Sequence, residues 1–390
     1  MSDVIELNEI DALTAYRSDW QRLLRVTPGG TFFRSLEWLQ VYWKHFAEDQ
    51  TLRVLVIRDG EQVTGIVPLC VRRIKSKFGL CRILTFPFDD WGSFYGPVSA
   101  DLTKTLCTAL DYIQHSRRDW DLLDLRCVDS TGFECGATEH ALKSMNVSFE
   151  TLMWCQTAYV DLKQNWEQYL GSRSTRARKT YLCSEKRVQQ EGDVKYLRYR
   201  PAGAAAGESD PRWDLYDQCE EIARQSWQGR STTGTTLSHA SVAPFIRDVH
   251  ERAVQAGAVD LNMLFVAGRP AAFNYNYVYN GLVYSLRMGF DPGVSVKGAG
   301  CVLMGRMIQD SMLRGDRILD IGPGSLKAKQ NWYTSVENSY RYVHYSATSV
   351  TAKLMQLSHQ FADWYRDRFS NEAVDVRKFT ESSKLSATSR

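Results

Sequence analysis

The feature that most constrains this chain is an order of elements that occurs twice. Residues 51–73, "TLRVLVIRDGEQVTGIVPLCVRR", run from one β-rich stretch through Asp59-Gly60 into another, the pattern of a hairpin. Residues 260–290, "DLNMLFVAGRPAAFNYNYVYNGLVYSLRMGF", turn at Gly268-Arg269-Pro270 and again at Asn280-Gly281. The middle run alternates strictly and puts Phe273, Tyr275, Tyr277 and Tyr279 on one face, either as cross-strand packing or as a substrate cage. A helical stretch precedes each hairpin (35–47 and 243–257), and another follows it (102–116 and 300–315). A short strand then follows each, at 120–128 and 316–322. Helix, hairpin, helix and strand, met twice, predict two copies of one α+β unit.

The length agrees, since 390 residues exceed a typical domain of about 150–200. With 44% apolar and 24% charged residues there is material for two cores. The expected division is 1–165, 166–368 and a polar tail, 369–390. Between the halves lies a basic helix, 169–192, carrying Arg173, Arg176, Arg178, Lys179, Lys186 and Arg187. Segments 201–211 and 229–240 are rich in small and polar residues and predict loops.

Charge and cysteine usage narrow the class. A net charge of +3 does not by itself imply nucleic acid, and no DNA partner is expected. The acidic opening "MSDVIELNEIDALTAYRSDW" lacks the basic-then-apolar order of a secretory signal, and no apolar run approaches a membrane span. The nine cysteines include no C-x-x-C pair, and the seven histidines show no metal-ligand spacing. The expectation is a cytoplasmic protein with no metal.

The turn "SVKGAGC" (295–301) leaves a strand and opens a helix. Amides at a helix N-terminus are unpaired and carry partial positive charge, so Lys297, Gly298, Ala299 and Gly300 would suit a pyrophosphate. The plainer reading is a flexible loop that starts a helix. The preceding strand belongs to an antiparallel meander, which excludes a Rossmann fingerprint, and the G-K-[ST] ending of a Walker loop is missing.

A strand meander, a glycine turn, an amphipathic helix and a further strand resemble the acyl-CoA-binding core of the GNAT acyltransferases. That family's loop is commonly [QR]-x-x-G-x-[GA]; here S-V-K-G-A-G matches both glycines, with Ser295 at the Gln/Arg position. "LDIGPGSLKAKQNW" is similar to the Asp-Phe-Gly-x-Gly…Tyr-Lys signature of tandem GNAT proteins, the CelD-like proteins of polysaccharide biosynthesis and the Fem peptidoglycan ligases. Asp320, Gly322, Gly324 and Lys329 fall on the pattern, and Ala328 stands where Tyr is usual. "SLEWLQVYWKHF", the basic helix and "ARQSWQG" (223–229) extend the likeness over roughly residues 30–350.

The resemblance implies two tandem GNAT-like domains, each a mixed, mainly antiparallel sheet flanked by helices. It implies an N- or O-acyltransferase using acetyl-CoA or another acyl-CoA, with an amine or hydroxyl attacking the thioester directly. The acceptor would be a sugar or a polysaccharide precursor. Turn 297–300, Lys329 and the strand backbone at Arg287 and Met288 would then serve the acyl donor. Asp320 would be the general base, or else a turn cap, with Tyr333 or Tyr284 as the acid. Trp227 would wall the acceptor pocket or anchor the core. The first half has acidic "FPFDDWG" where a phosphate turn would stand, so only the second half would bind CoA. Asp89, Asp90 and Trp91 would then contact the acceptor or form a solvated turn. Two alternatives stay open. One is a Fem-type aminoacyl transferase using charged tRNA, favoured by the basic helix. The other is a catalytically inactive scaffold in polysaccharide biosynthesis.

Overall fold

The computed structural model describes residues 3–89, 91–116, 118–230, 236–293 and 297–369, with the backbone alone at Trp227, Arg230 and 360–369. The first half forms β1 (Asp3–Leu7), α1 (Arg17–Val26), α2 (Leu36–Phe46), β2 (Gln50–Asp59), β3 (Gln62–Ser76), β4 (Gly79–Thr85), β5 (Val98–Ser99), α3 (Leu102–His115), β6 (Leu122–Val128), α4 (Ala137–Ser144) and β7 (Glu150–Asp161). Two helices, α5 (Trp166–Ser172) and α6 (Thr175–Gln190), lead into the second half. There follow β8 (Val194–Tyr199), α7 (Trp213–Gln225), α8 (Ala243–Gln255), β9 (Val259–Val266), β10 (Arg269–Tyr279), β11 (Leu282–Phe290), α9 (Ala299–Leu313), β12 (Ile318–Pro323), α10 (Leu326–Lys329) and β13 (Ser335–Tyr345). A last helix, α11 (Val350–Phe369), closes the described chain. Apart from the two-residue β5, both halves run strand, two helices, three-strand meander, helix, strand, helix, strand.

All strands join one sheet, in the order β1-β2-β3-β4-β6-β13-β7-β12-β11-β10-β9-β8, with β5 on β3. Among the described strands only β4 with β6 and β11 with β12 pair parallel. A strand–helix–strand crossover requires parallel pairing, and α3 and α9 supply the two crossovers. The halves exchange their last strands: β7 pairs β12 of the second half, β13 pairs β6 of the first, and the two pair with each other. The repeated order is therefore as the sequence implies, but the sheet is shared.

The tyrosine alternation is packing. Tyr275 and Tyr277 are buried and meet edge-on at 5.6 Å, and Tyr277 reaches Phe32 of the first half at 4.9 Å. On the other face α9 lies directly against α6. A Cβ added at Gly305 would stand 2.2 Å from Tyr181 Cε2. Gly305→Val is accordingly expected to cost about 2 kcal/mol or more, because Tyr181 is held by Glu185 and the helices have no room to part. A lower denaturant midpoint at unchanged slope would show it.

Candidate active site

The parallel pair β11–β12 is in register at Leu282↔Ile318, Val283↔Leu319 and Tyr284↔Asp320 and no further, although β11 continues to Phe290. Beyond Tyr284 that edge of β11 has no strand partner. An extra residue in β11 opposite Tyr275/Asn276 bends the strand at the same place. Further along β11, Gly289 lets the strand pack closely on Phe273, where a Cβ would meet Cε1 at 2.6 Å. Two strands that start together and then part leave a cleft along that edge of β11.

The N-terminus of α9 stands beyond that cleft. Its N-cap, Gly298, has φ 110°, a left-handed conformation that favours glycine, and Val302 N–H bonds back to Gly298 O at 2.9 Å. Lys297 is exposed, and Arg187 Nη1 of α6 donates to Lys297 O at 3.2 Å, bringing a second cation to the turn. Around Gly300 there is space: a Cβ would find only Phe290 Cδ1, at 4.0 Å. Open room at the first turn of a helix, with two basic side chains beside it, fits a diphosphate. Ala299 is buried and anchors the turn. Ser295 lies outside the described residues.

Asp320 closes the inner end of the cleft. Its side chain is buried, Oδ1 accepts from Thr157 Oγ1 and from Gly322 N–H (2.7 Å), and Oδ2 has no partner among the described residues. Burial raises its pKa above the usual carboxylate range, and Thr157, the nearby Ser93 hydroxyl, Gly322 N–H and Lys329 pull the other way without cancelling it. Tyr284, its register partner, is buried too, and its hydroxyl pKa is raised by burial and by the Asp320 charge. Tyr159 of β7 is raised by the same two effects. Lys329 Nζ donates to Gly322 O (2.6 Å) and Pro323 O (2.8 Å), so it fastens the turn that follows Asp320.

The first half holds the same carboxyl at the same register, Thr85↔Asp124 in the β4–β6 pair, with the opposite chemistry. Asp124 is fully buried but bound by Arg126 (2.7 Å) and by Arg341 of β13 (2.7 Å). Burial alone would raise its pKa; the two guanidinium groups outweigh that and hold it below the usual range. One carboxyl is neutralised by ion pairs, whereas the other is left to take a proton.

The first-half loop predicted for acceptor contact crosses to this cleft. Trp91 is buried against Phe245 (4.6 Å), and Arg287 of β11 lies over its ring at 5.9 Å. Burial lowers the Arg287 guanidinium to about 10. Ser93 Oγ donates to Thr157 Oγ1 (3.1 Å), which in turn holds Asp320. Asp89 is exposed but bonded to Arg72 (2.5 Å) and the Tyr42 hydroxyl (2.7 Å), and Asp90 lies outside the described residues. Met288 is partly exposed, and its carbonyl accepts from Gln228 Nε2 at 2.7 Å. Gln228 is next to Trp227, whose side chain lies outside the description. Tyr333 packs with the apolar group around Trp166 and Leu326, and its carbonyl accepts from Arg173. No recorded contact joins it to Asp320.

The structure thus brings together Asp320, Tyr284, Lys329, Arg287, Met288 and Trp91 around one cleft, with Lys297–Gly300 at its mouth. Sequence reading missed Ser93, Thr157, Tyr159 and Gln228. Thr157 and Tyr159 carry no motif and reach the site only because β7 crosses into the second half's sheet. Gln228 had a signal in its place within "ARQSWQG".

A parting parallel pair, a helix N-terminus beyond it and a buried carboxyl at its closed end are the arrangement expected of the GNAT fold. The family model described as acetyltransferase (GNAT) domain matches residues 175–332, so the chain carries a GNAT acetyltransferase domain. No curated protein matches the chain in sequence. Among solved structures it is similar to FemX, at 10% identity and TM-score 0.62 over 91% of this chain and 99% of that one. It is also similar to the C-terminal domain (DUF2156) of an Agrobacterium fabrum protein described as a lysylphosphatidylglycerol synthetase. That match has 12% identity and TM-score 0.53, covering 88% of this chain and 96% of that one. A conserved Bacteroides thetaiotaomicron protein of unknown function matches at 12% identity and TM-score 0.52, covering 88% and 100%. At these identities the likeness is one of fold.

No described helix is long and apolar enough to cross a membrane, and among the described residues no group of His, Cys, Asp and Glu is placed to hold a metal ion.

Proposed function

We propose that the chain is a cytoplasmic acyl-CoA-dependent acyltransferase. It would transfer an acyl group to an amine or hydroxyl of a saccharide or cell-envelope precursor. The observation that carries this reading is the separation of β11 from β12 after Tyr284 and Asp320, facing the roomy N-terminus of α9. In this reading 166–368 holds the donor, with Lys297–Gly300 and Arg187 on its phosphates, and 1–165 shapes the acceptor side through the Trp91 loop. Acyl-CoA supplies an activated thioester carbonyl. The Met288 N–H, on the edge of β11 that β12 has left, would stabilise the charge that develops on that carbonyl's oxygen. Asp320 Oδ2 takes the nucleophile's proton, and the Tyr284 hydroxyl, unbonded among the described residues, returns one to the leaving sulfur. Holding both partners in the cleft supplies the remaining advantage.

Gly300→Asp tests the donor site cleanly, because the space there admits the side chain while its charge opposes a phosphate. Calorimetry with acetyl-CoA and longer acyl-CoAs is expected to show saturable binding by the wild-type chain, weakened at least about tenfold in the variant at unchanged melting temperature. Absence of binding to every CoA ester would turn the reading toward charged tRNA as donor. The observation favouring that alternative is the exposed basic face of α6 at Arg176, Lys179 and Lys186.

A further inference from the structure

Arg34 is 3% exposed, at the end of the turn that leads into α2. Its backbone is fixed by Trp20 Nε1 donating to Arg34 O at 2.8 Å. Its guanidinium is barely satisfied. Among the described residues it donates one hydrogen bond, to Pro97 O at 3.5 Å, and Nε has no partner. Gly96 lies flat beside it, where a Cβ would be 3.6 Å from Cζ. A guanidinium keeps its charge, and burying it without a bonded carboxylate costs several kcal/mol. Packing alone would favour methionine or leucine here.

The neighbours face the same way. Glu134, 8% exposed, accepts at Oε1 from the Thr138 hydroxyl, and its Oε2 has no partner among the described residues. Asp129 spends its oxygens on the N–H groups of Gly132 (2.9 Å) and Phe133 (2.7 Å). The Tyr95 hydroxyl is buried and unpartnered. Glu134, Asp129, Tyr95 and Tyr284 all act electrostatically on Arg34, and Phe33, the preceding residue, packs edge-on to the Tyr284 ring at 5.9 Å. Burial pushes the Glu134 carboxyl up to about 7 and raises Asp129 as well, so neither fully neutralises the guanidinium. A buried polar cluster in the first half, with one cation and several unused hydrogen-bonding atoms, therefore adjoins Tyr284 of the second.

We propose that Arg34 anchors a carboxylate of the acceptor, which would then be an amine or hydroxyl compound that also carries a carboxylate. This rests on the acyltransferase reading above and names its acceptor class. The cluster suits a single negative charge. One guanidinium accepts a carboxylate through two parallel N–H donors, whereas a phosphate dianion would meet Glu134 and Asp129 with nothing to balance its second charge. The acceptor's nucleophile would point toward Asp320.

The test is calorimetric titration of the full chain, without acyl donor, using matched probes: 4-aminobutyrate against 4-amino-1-butanol, and glycine against glycinamide. At least tenfold tighter binding of the carboxylate member is expected in one pair or both. Arg34→Met is expected to erase that preference while the melting temperature holds or rises, since a buried charge has been removed. Glu134→Gln, which takes away the competing carboxyl, is expected to tighten carboxylate binding several-fold and serves if Arg34→Met fails to fold. Equal binding within both pairs, or none, overturns the proposal, as does a preference that survives Arg34→Met or weakens in Glu134→Gln. Donor binding is measured separately with acetyl-CoA. Its failure would sink the acyltransferase reading and leave the anion result standing.

Discussion

Asp320→Asn is expected to lower kcat by about 10²–10⁴-fold, the range for loss of a positioned general base. The substitution is close to isosteric. The carboxamide oxygen of the variant would still accept from Thr157 and from Gly322 N–H, so the turn into α10 should keep its shape. Only the unpartnered Oδ2 changes, from a proton acceptor to an amide that cannot serve as one. Wild-type kcat/KM should rise with pH as Asp320 loses its proton, at a pH above the usual carboxylate range, and that limb should vanish in the variant. Stability should move oppositely. A carboxyl whose pKa is higher in the folded state binds its proton more tightly there than in the unfolded chain. It therefore loses stability as pH climbs from the usual carboxylate range through the raised value. Near neutral pH the asparagine variant should melt no lower than wild type and somewhat higher if the effect is large. Unchanged turnover with unchanged pH dependence would remove Asp320 from the chemistry. A collapse in melting temperature would assign it to the fold instead.

The comparison with Asp124 explains why one carboxyl is kept in so costly a state. Both halves place an aspartate where the second strand of a parallel pair begins to leave its neighbour. Arg126 and Arg341 disarm the first, and the loop where a second phosphate turn would stand instead lays Trp91 and Ser93 against the working cleft. On the proposed reading, the two halves make one donor cleft and one wall rather than two sites.

How much of this was legible depended on whether a signal was local. The hairpins β2–β3 and β10–β11 announce themselves through Asp59-Gly60 and Asn280-Gly281, where turn chemistry and alternation agree. Helix α9 is written in its apolar spacing, and the glycines before it mark a left-handed N-cap and open space at its first turn. β7 and β13 are different. β7 is exposed or half-exposed over much of its length and buried mainly toward its end, so no clean two-residue period shows. Its place between β13 and β12 is a decision of the whole sheet. For the same reason Thr157 and Tyr159, which touch or face Asp320, were invisible, while Asp320 itself stood out beside its Gly-Pro-Gly turn. Arg34 lay in plain view within "TFFRSLEW". Nothing in the sequence says that it would be buried with almost no partner.

Asp260→Ala should have the largest effect on stability, a loss of about 3–5 kcal/mol, the range for removing one member of a buried ion pair. Arg198 of β8, with a side chain only 2% exposed, gathers three carboxylates: Asp260 of β9 at 2.6 Å, Asp310 of α9 at 2.9 Å, and Asp316 before β12 at 3.6 Å. Asp260 is itself fully buried and also accepts from Asn276 Nδ2 at 3.1 Å. Burial alone would raise its pKa, but Arg198 outweighs that and holds it below the usual range. Its contribution is thus present above the usual carboxylate range and is lost as pH falls through the depressed value. Wild type and variant should therefore converge in stability under strong acid. The clamp would also carry a functional load, because it ties the sheet to α9, whose N-terminus opens the proposed donor site, and to the turn that feeds Asp320. Asp260→Asn keeps a hydrogen-bond acceptor for Arg198 and should recover part of the loss, while acyl-CoA affinity in the alanine variant should fall along with stability. Full stability in Asp260→Ala would show that Asp310 and Asp316 suffice for Arg198, and the clamp would then have to be reckoned as redundant on its β9 side.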